Sequence, residues 1–248
     1  MRDKVVSREQ TPRSELNAAG GQADAQSGLN NLSEDIFVIT SITALPRNPG
    51  RFEVDVNGRA FAALSVEALE RCGISIGIDI SDRVDAVLAE AARLAVYDRA
   101  LNMLAFRARS ATELARALVR KGADRAHVDQ AIARLVEQGF IDDAAFARAL
   151  ARARVVGANH SNRRVQQELL RKGVAREVAE DAIGEVFEQE GVDPMALVET
   201  AARRKMRTLA SLEPAVRRRR LYGFLARRGF DADDIRRAMD MVERAPSD

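Results

Sequence analysis

The chain has 248 residues, 39 Lys or Arg against 37 Asp or Glu, a single cysteine and no tryptophan. That length allows one large domain or two small ones, and the lone Cys72 excludes an intrachain disulfide. No apolar run approaches the roughly 20 residues of a membrane span and the N-terminus has no apolar signal core, so a soluble, cytoplasmic protein is expected. Ala, Arg, Leu and Val dominate, which suits helices packed through small and medium side chains. The net charge of +2 conceals an uneven distribution. Residues 34–80 hold four Arg against seven acids, whereas residues 203–228 hold ten Arg or Lys against the single acid Glu213. Charge gathered in this way points to phosphates or to an acidic protein surface.

Residues 1–33 carry Gly, Ser, Asn, Gln and Ala with no sustained period and read as a disordered tail ending at residue 34. "IFVITSITAL", residues 36–45, is rich in β-branched residues and reads as a strand. "RFEVDV-NG-RAFAAL" then places two short runs around Asn57-Gly58, a strong hairpin signal. A two-residue turn there sets Val54 opposite Phe61 and Phe52 opposite Ala63. The helix "SVEALERCG" follows, with Ser65 as cap and Gly73 as stop. This β-rich leader, residues 35–80, is too small to be a globular domain without help.

From Ser81 the pattern is helical to the end, opening with one long amphipathic stretch to Ser110. A repeat then emerges around Gly122, Gly173 and Gly229, which stand 51 and 56 residues apart. Eight residues before each glycine stand Leu114, Val165 and Leu221, and four before stand Leu118, Leu169 and Leu225. Ten residues after stand Ile132, Ile183 and Met239, and thirteen after stand Leu135, Val186 and Val242. These offsets describe two helices, each with one apolar stripe, meeting at a glycine. A third helix joins each pair to the next, capped by Asp142 or Asp143 in one case and by Asp193 with Pro194 at the first turn in the other. The expected fold is mainly α: three tandem three-helix repeats at 81–138, 139–190 and 191–245, stacked into an elongated, curved body.

"RARSATELARALVRKG", "LVEQGFIDDAAFARAL" and "RRVQQELLRKGV" resemble the RecX family of bacterial recombination regulators. Its members carry an R-S-x-x-E-L…K-G stretch, then G-[FY]-[IL]-D-D-x-x-F, then R-[IV]-x-x-E-L-x-x-K-G-[IV]. The leader is similar to the β-rich leader of some members, and the resemblance spans roughly residues 36–244. The tail is extra, and the third repeat opens with "GVDPM" where the second opens with "GFIDDAAF". The resemblance implies three three-helix repeats and a partner, the RecA recombinase. It implies binding in the groove of the RecA–single-strand DNA filament, which restrains ATP hydrolysis, filament growth and strand exchange in recombination, repair and the SOS response. It also implies no enzymatic activity and no cofactor.

The residues alone support little catalysis. Neighbouring Asp142 and Asp143 diverge by about 100° on a helix and suit capping better than a shared ion. His127 and His160 have no Cys or carboxylate at ligand spacing, so no metal is expected. A phosphate-binding loop of the G-x-x-x-x-G-K-[ST] kind is missing from the sequence, "AAGGQ" in the tail follows no strand, and Cys72 has no histidine near it. The basic residues are the better candidates. Arg203, Arg204 and Arg207 fall opposite the apolar side formed by Met195, Val198, Ala202 and Leu209. Arg217, Arg218, Arg219 and Arg220 wind round the next helix, with Arg219 pointing most nearly away from Leu221 and Leu225. These seven are the candidate contacts to single-stranded DNA phosphate or to an acidic RecA surface. A monomer is expected, and the alternative is a helical DNA-binding protein that uses a basic surface without a recombinase partner. The acidic second helices ("AREVAEDAIGEVFEQ" is one) count against it, because they would repel phosphate.

Overall fold

The computed structural model describes residues 36–244, so the tail expected at residues 1–34 lies outside the described residues. The described chain forms two compact units, one up to Leu94 and one from Ala95 onward. In the first, strands β1 (Ile39–Ala44), β2 (Arg51–Val56) and β3 (Arg59–Ser65) form an antiparallel sheet in that order. Asn57 and Gly58 both take positive φ, as a two-residue hairpin turn requires. The register differs from the simple expectation: Val54 faces Ala62, and Phe52 faces Leu64. A β-bulge beside the turn inserts one residue, and a one-residue shift exchanges the two faces of a strand. Leu64 is therefore fully buried with Val54, while Ala63 is exposed. Helix α1 (Val66–Arg71) starts where the Ser65 hydroxyl accepts from the Ala68 amide and stops before Gly73, at φ +61°.

Helix α2 (Val84–Phe106) begins in the first unit, where Val87 and Leu94 join the sheet's core, and ends in the second. The second unit holds three helix trios. Residues Val96 to Leu104 of α2 pack with α3 (Ala111–Arg120) and α4 (Arg125–Glu137). The second trio is α5 (Asp143–Val155), α6 (Asn162–Arg171) and α7 (Arg176–Gln189), and the third is α8 (Pro194–Thr208), α9 (Pro214–Arg227) and α10 (Ala232–Arg244). The expected stripes hold: all six residues eight and four before the glycines are fully buried. In the last helix of each trio, α4, α7 and α10, the deepest line differs slightly. Val128, Ala179 and Ile235 stand six after their glycines, and Ala131, Ala182 and Ala238 stand nine after, all 4% exposed or less. Alanine at the ninth position in every copy lets the paired helices approach closely. Each trio closes its own core, while Leu197 of α8 and Phe230, beyond α9, also pack into the core of the second.

Candidate functional site

The glycine turns receive the next-earlier trio. Ser110, fully buried, accepts from the Glu113 amide and donates to the Lys172 carbonyl at the end of α6. Thr112 donates to the Gly173 carbonyl (3.1 Å) and Arg116 to the Arg171 carbonyl (3.1 Å). Three carbonyls that a helix end leaves unpaired are thereby satisfied by the start of another helix. The second junction repeats the placement: the Ser161 amide donates to the Arg228 carbonyl (3.1 Å), and Ser161 caps α6 through the Arg164 amide. Ser110 and Ser161 each stand twelve residues before their own glycine. In the third trio that position is Arg217, and α9 begins earlier, at Pro214, with no side-chain cap. The serine cap occurs where a following trio has to be seated.

Asp142 and Asp143 divide the same work. Asp142 accepts from the Ala145 amide (2.8 Å) and caps α5, while Asp143 reaches across to accept from the Ala111 amide (2.8 Å) at the start of α3. Both carboxylates are therefore committed to helix ends. Glu113 gathers Arg107, Arg109 and Lys172, the last at 3.3 Å, across the same junction. Its hydrogen bond from Arg107, followed by the charge of Lys172, holds the Glu113 carboxyl below the usual range.

The basic residues singled out in the sequence do not form one uniform surface. Arg203 is exposed but lies 3.4 Å from Glu199, one turn back. Arg204 and Arg207 are exposed, with no ion pair among the described residues. Arg218 is tied to Asp240 (3.3 Å) and Glu243 of α10, so it fastens two helices together. Arg219 and Arg220 are exposed and Arg217 is half-buried, all three without a carboxylate within 4.0 Å among the described residues. Arg219 lies beside Tyr222 and Met239, on a face shared with Arg218 and Arg236.

A second basic group was not legible as such. Arg228 stands with its guanidinium carbon 4.4 Å from the centroid of Phe224, and Lys205 of α8 stands 5.4 Å from the same centroid. Burial, then the neighbouring charge of Arg204, holds Arg228 below its ordinary value. His160 belongs to this group as well. Burial first, then Arg228 and Arg154, push its pKa down, and Glu168 opposes them. Arg154 and Glu168 are bound in a two-pronged pair, at 2.9 and 2.8 Å. In the sequence, Arg228 reads only as a cation before a helix-ending glycine, and no local pattern ties it to His160, 68 residues earlier.

Three three-helix trios, locked end to end by serine caps and bearing basic side chains on the third, define a tandem helical-repeat protein. The family models for the first, second and third three-helix domains of RecX match residues 97–135, 142–183 and 193–239. The chain is 40% identical over 152 residues to a regulatory protein RecX of Halorhodospira halophila, covering 60% of this chain and 89% of that one. It is 34% identical over 166 residues to a regulatory protein RecX of Chlorobaculum tepidum, covering 64% and 97%. A crystal structure of regulatory protein RecX shares the fold, with a TM-score of 0.63, 18% identity, and 84% and 100% of the two chains covered. The chain belongs to the RecX family.

Proposed function

We propose that this chain regulates the RecA recombinase by binding the RecA–single-strand DNA filament, restraining its ATP hydrolysis, growth and strand exchange, without chemistry of its own. Family membership supports the partner. The observation that carries the mode of action is the distribution of charge over the trios. Helix α7 of the second trio exposes Glu177, Glu180, Asp181, Glu185 and Glu188, while α8 and α9 of the third expose Arg204, Arg207, Arg219 and Arg220. One helix acidic in the second trio and two helices basic in the third suit a composite of protein and nucleic acid better than a bare strand, which the acidic helix would repel. The test is to follow the single-strand-dependent ATPase of RecA while adding this protein, and in parallel to compare its affinity for RecA filaments and for naked strands. Falling ATPase with preferential filament binding supports the reading. Equal affinity for naked strands with unchanged ATPase would establish instead a helical DNA-binding protein without a recombinase partner.

A further inference from the structure

Where the second and third trios meet, α6 and the end of α9 enclose a groove of about 330 Å³, lined by Arg163, Arg164, Gln167, Arg227, Gly229 and Phe230, with Ala226 at its edge. The groove exists because the α9 turn comes so close. A methyl on Gly229 would meet the Ser161 hydroxyl at 2.6 Å and Arg164 Cβ at 2.7 Å, and φ there is +87°. Of the three arginines, Arg163 is paired with Asp231 at 3.4 Å. Arg164 and Arg227 have no carboxylate within 4.0 Å among the described residues. The Nε of Arg164 is buried and donates to no acceptor among the described residues. A buried donor without an acceptor is costly, so one held in this way calls for an explanation. His160, whose Nδ1 is likewise buried with no partner among the described residues, feels the charges of both Arg164 and Arg228, so Arg228 adds positive charge near the groove.

We propose that this groove is a binding site for a phosphate group, held by Arg164 and Arg227 with the Gln167 amide as a further donor. The two arginines come from different helices, α6 and α9. A tetrahedral oxyanion presents acceptors to both and to the amide, whereas a planar carboxylate engages one fork. The apolar side chains of Phe230 and Ala226 give the groove a wall against which the sugar or base of a nucleotide could lie. The site does not depend on RecA, and the phosphate could come from a nucleic-acid backbone or be free in solution.

The 248-residue chain carries only two histidines, and this makes the test direct. An anion in the groove opposes the cations around His160 and raises its pKa, while half-buried His127 on α4 serves as the control. Imidazole proton resonances are followed through a pH titration alone, with oligothymidylate, with inorganic phosphate and with polyglutamate. Arg227→Gln, at an exposed position, and the double variant Arg164→Gln/Arg227→Gln are compared, and their folding is checked by circular dichroism. A rise at His160 with oligothymidylate, lost in both variants, together with an affinity at least tenfold lower, assigns the site to backbone phosphate. The log–log salt slope should then fall by about 0.7 for each phosphate that the variant no longer neutralises. A rise with inorganic phosphate only, lost in the same variants, assigns it to free phosphate. A His160 titration unmoved by either, or moved by polyglutamate alone, overturns the proposal. So does a rise that survives in folded Arg227→Gln.

Discussion

At Gly173 an added methyl would collide with Thr112 Cβ and Cγ2, and would stand 2.7 Å from its hydroxyl oxygen. Gly122 takes the same positive φ, +84° against +81°, yet a methyl there would meet nothing within 4 Å. The backbone cost of a left-handed alanine, about 1–2 kcal/mol, is therefore common to both positions, and the collision belongs to Gly173 alone. Gly173→Ala should destabilise by roughly 1–3 kcal/mol more than Gly122→Ala in urea unfolding, the range for an overpacked site. Equal losses would show that the turn is not seated on α3. His160 gives a second prediction at this scale. It faces Arg154 from α5, Arg164 and Glu168 from α6, and Arg228 from the end of α9, and its folded pKa lies below the unfolded value of about 6.5. The fold therefore favours the neutral ring. Stability is full above about pH 6.5 and is lost as pH falls from there through the folded pKa. Unfolding free energies from about pH 7 to about pH 5 should decline in the parent and decline less in His160→Gln. The depressed carboxyls of Glu113 and Glu168 act lower, because each is lost only as pH falls below the ordinary value of about 4.3.

At the scale of helices, two adjacent aspartates do different work. Losing Asp142 removes the cap of α5, whereas losing Asp143 strips a partner from the first amide of α3, a helix of the preceding trio. Each alanine variant should cost about 1 kcal/mol, as caps do. They should differ in where the loss appears. In Asp143→Ala the amide of Ala111 should exchange faster with solvent while that of Ala145 is unchanged, and Asp142→Ala should show the reverse. A pattern confined to α5 in both variants would reduce Asp143 to an ordinary first-turn acid. The sequence made the trios and their glycines plain, because a buried stripe and a left-handed helix end leave marks at fixed spacing. It did not reveal the junctions. Ser110 meets Lys172 and Asp143 meets Ala111 through bonds that join residues 62 and 32 apart, which no local pattern encodes. The β-bulge escaped for a similar reason, since Ala60, Phe61 and Ala62 fit either register and burial of Leu64 decides between them. The basic candidates were visible as charge, but whether an arginine fastens a helix or faces outward depends on the neighbouring helix.

For the whole molecule, the question is which arginines remain available to a partner once the structural pairs have been set aside. Arg218, bound to Asp240 and Glu243, joins α9 to α10, and Arg203 leans on Glu199. Arg204, Arg207 and Arg219 are exposed, without such partners among the described residues. Replacing these three with alanine should change stability by no more than about 0.5 kcal/mol per site, since each is a surface substitution. On the proposed function, binding to the RecA–single-strand DNA filament should weaken, and inhibition of the ATPase should weaken with it. Arg218→Ala should behave in the opposite way, losing up to about 1 kcal/mol of stability, the range for an exposed pair, with filament affinity little changed. Salt then separates the two possible partners of the triple variant. If the side chains meet phosphate, the slope of log affinity against log salt should fall by about 0.7 for each single-strand phosphate released. If they meet acidic protein, the slope should change less, and RecA without DNA should also bind the variant more weakly. A folded triple variant that inhibits as well as the parent would return these residues to ordinary solvated surface. The grip would then have to lie with Arg217 and Arg220 or on the first two trios.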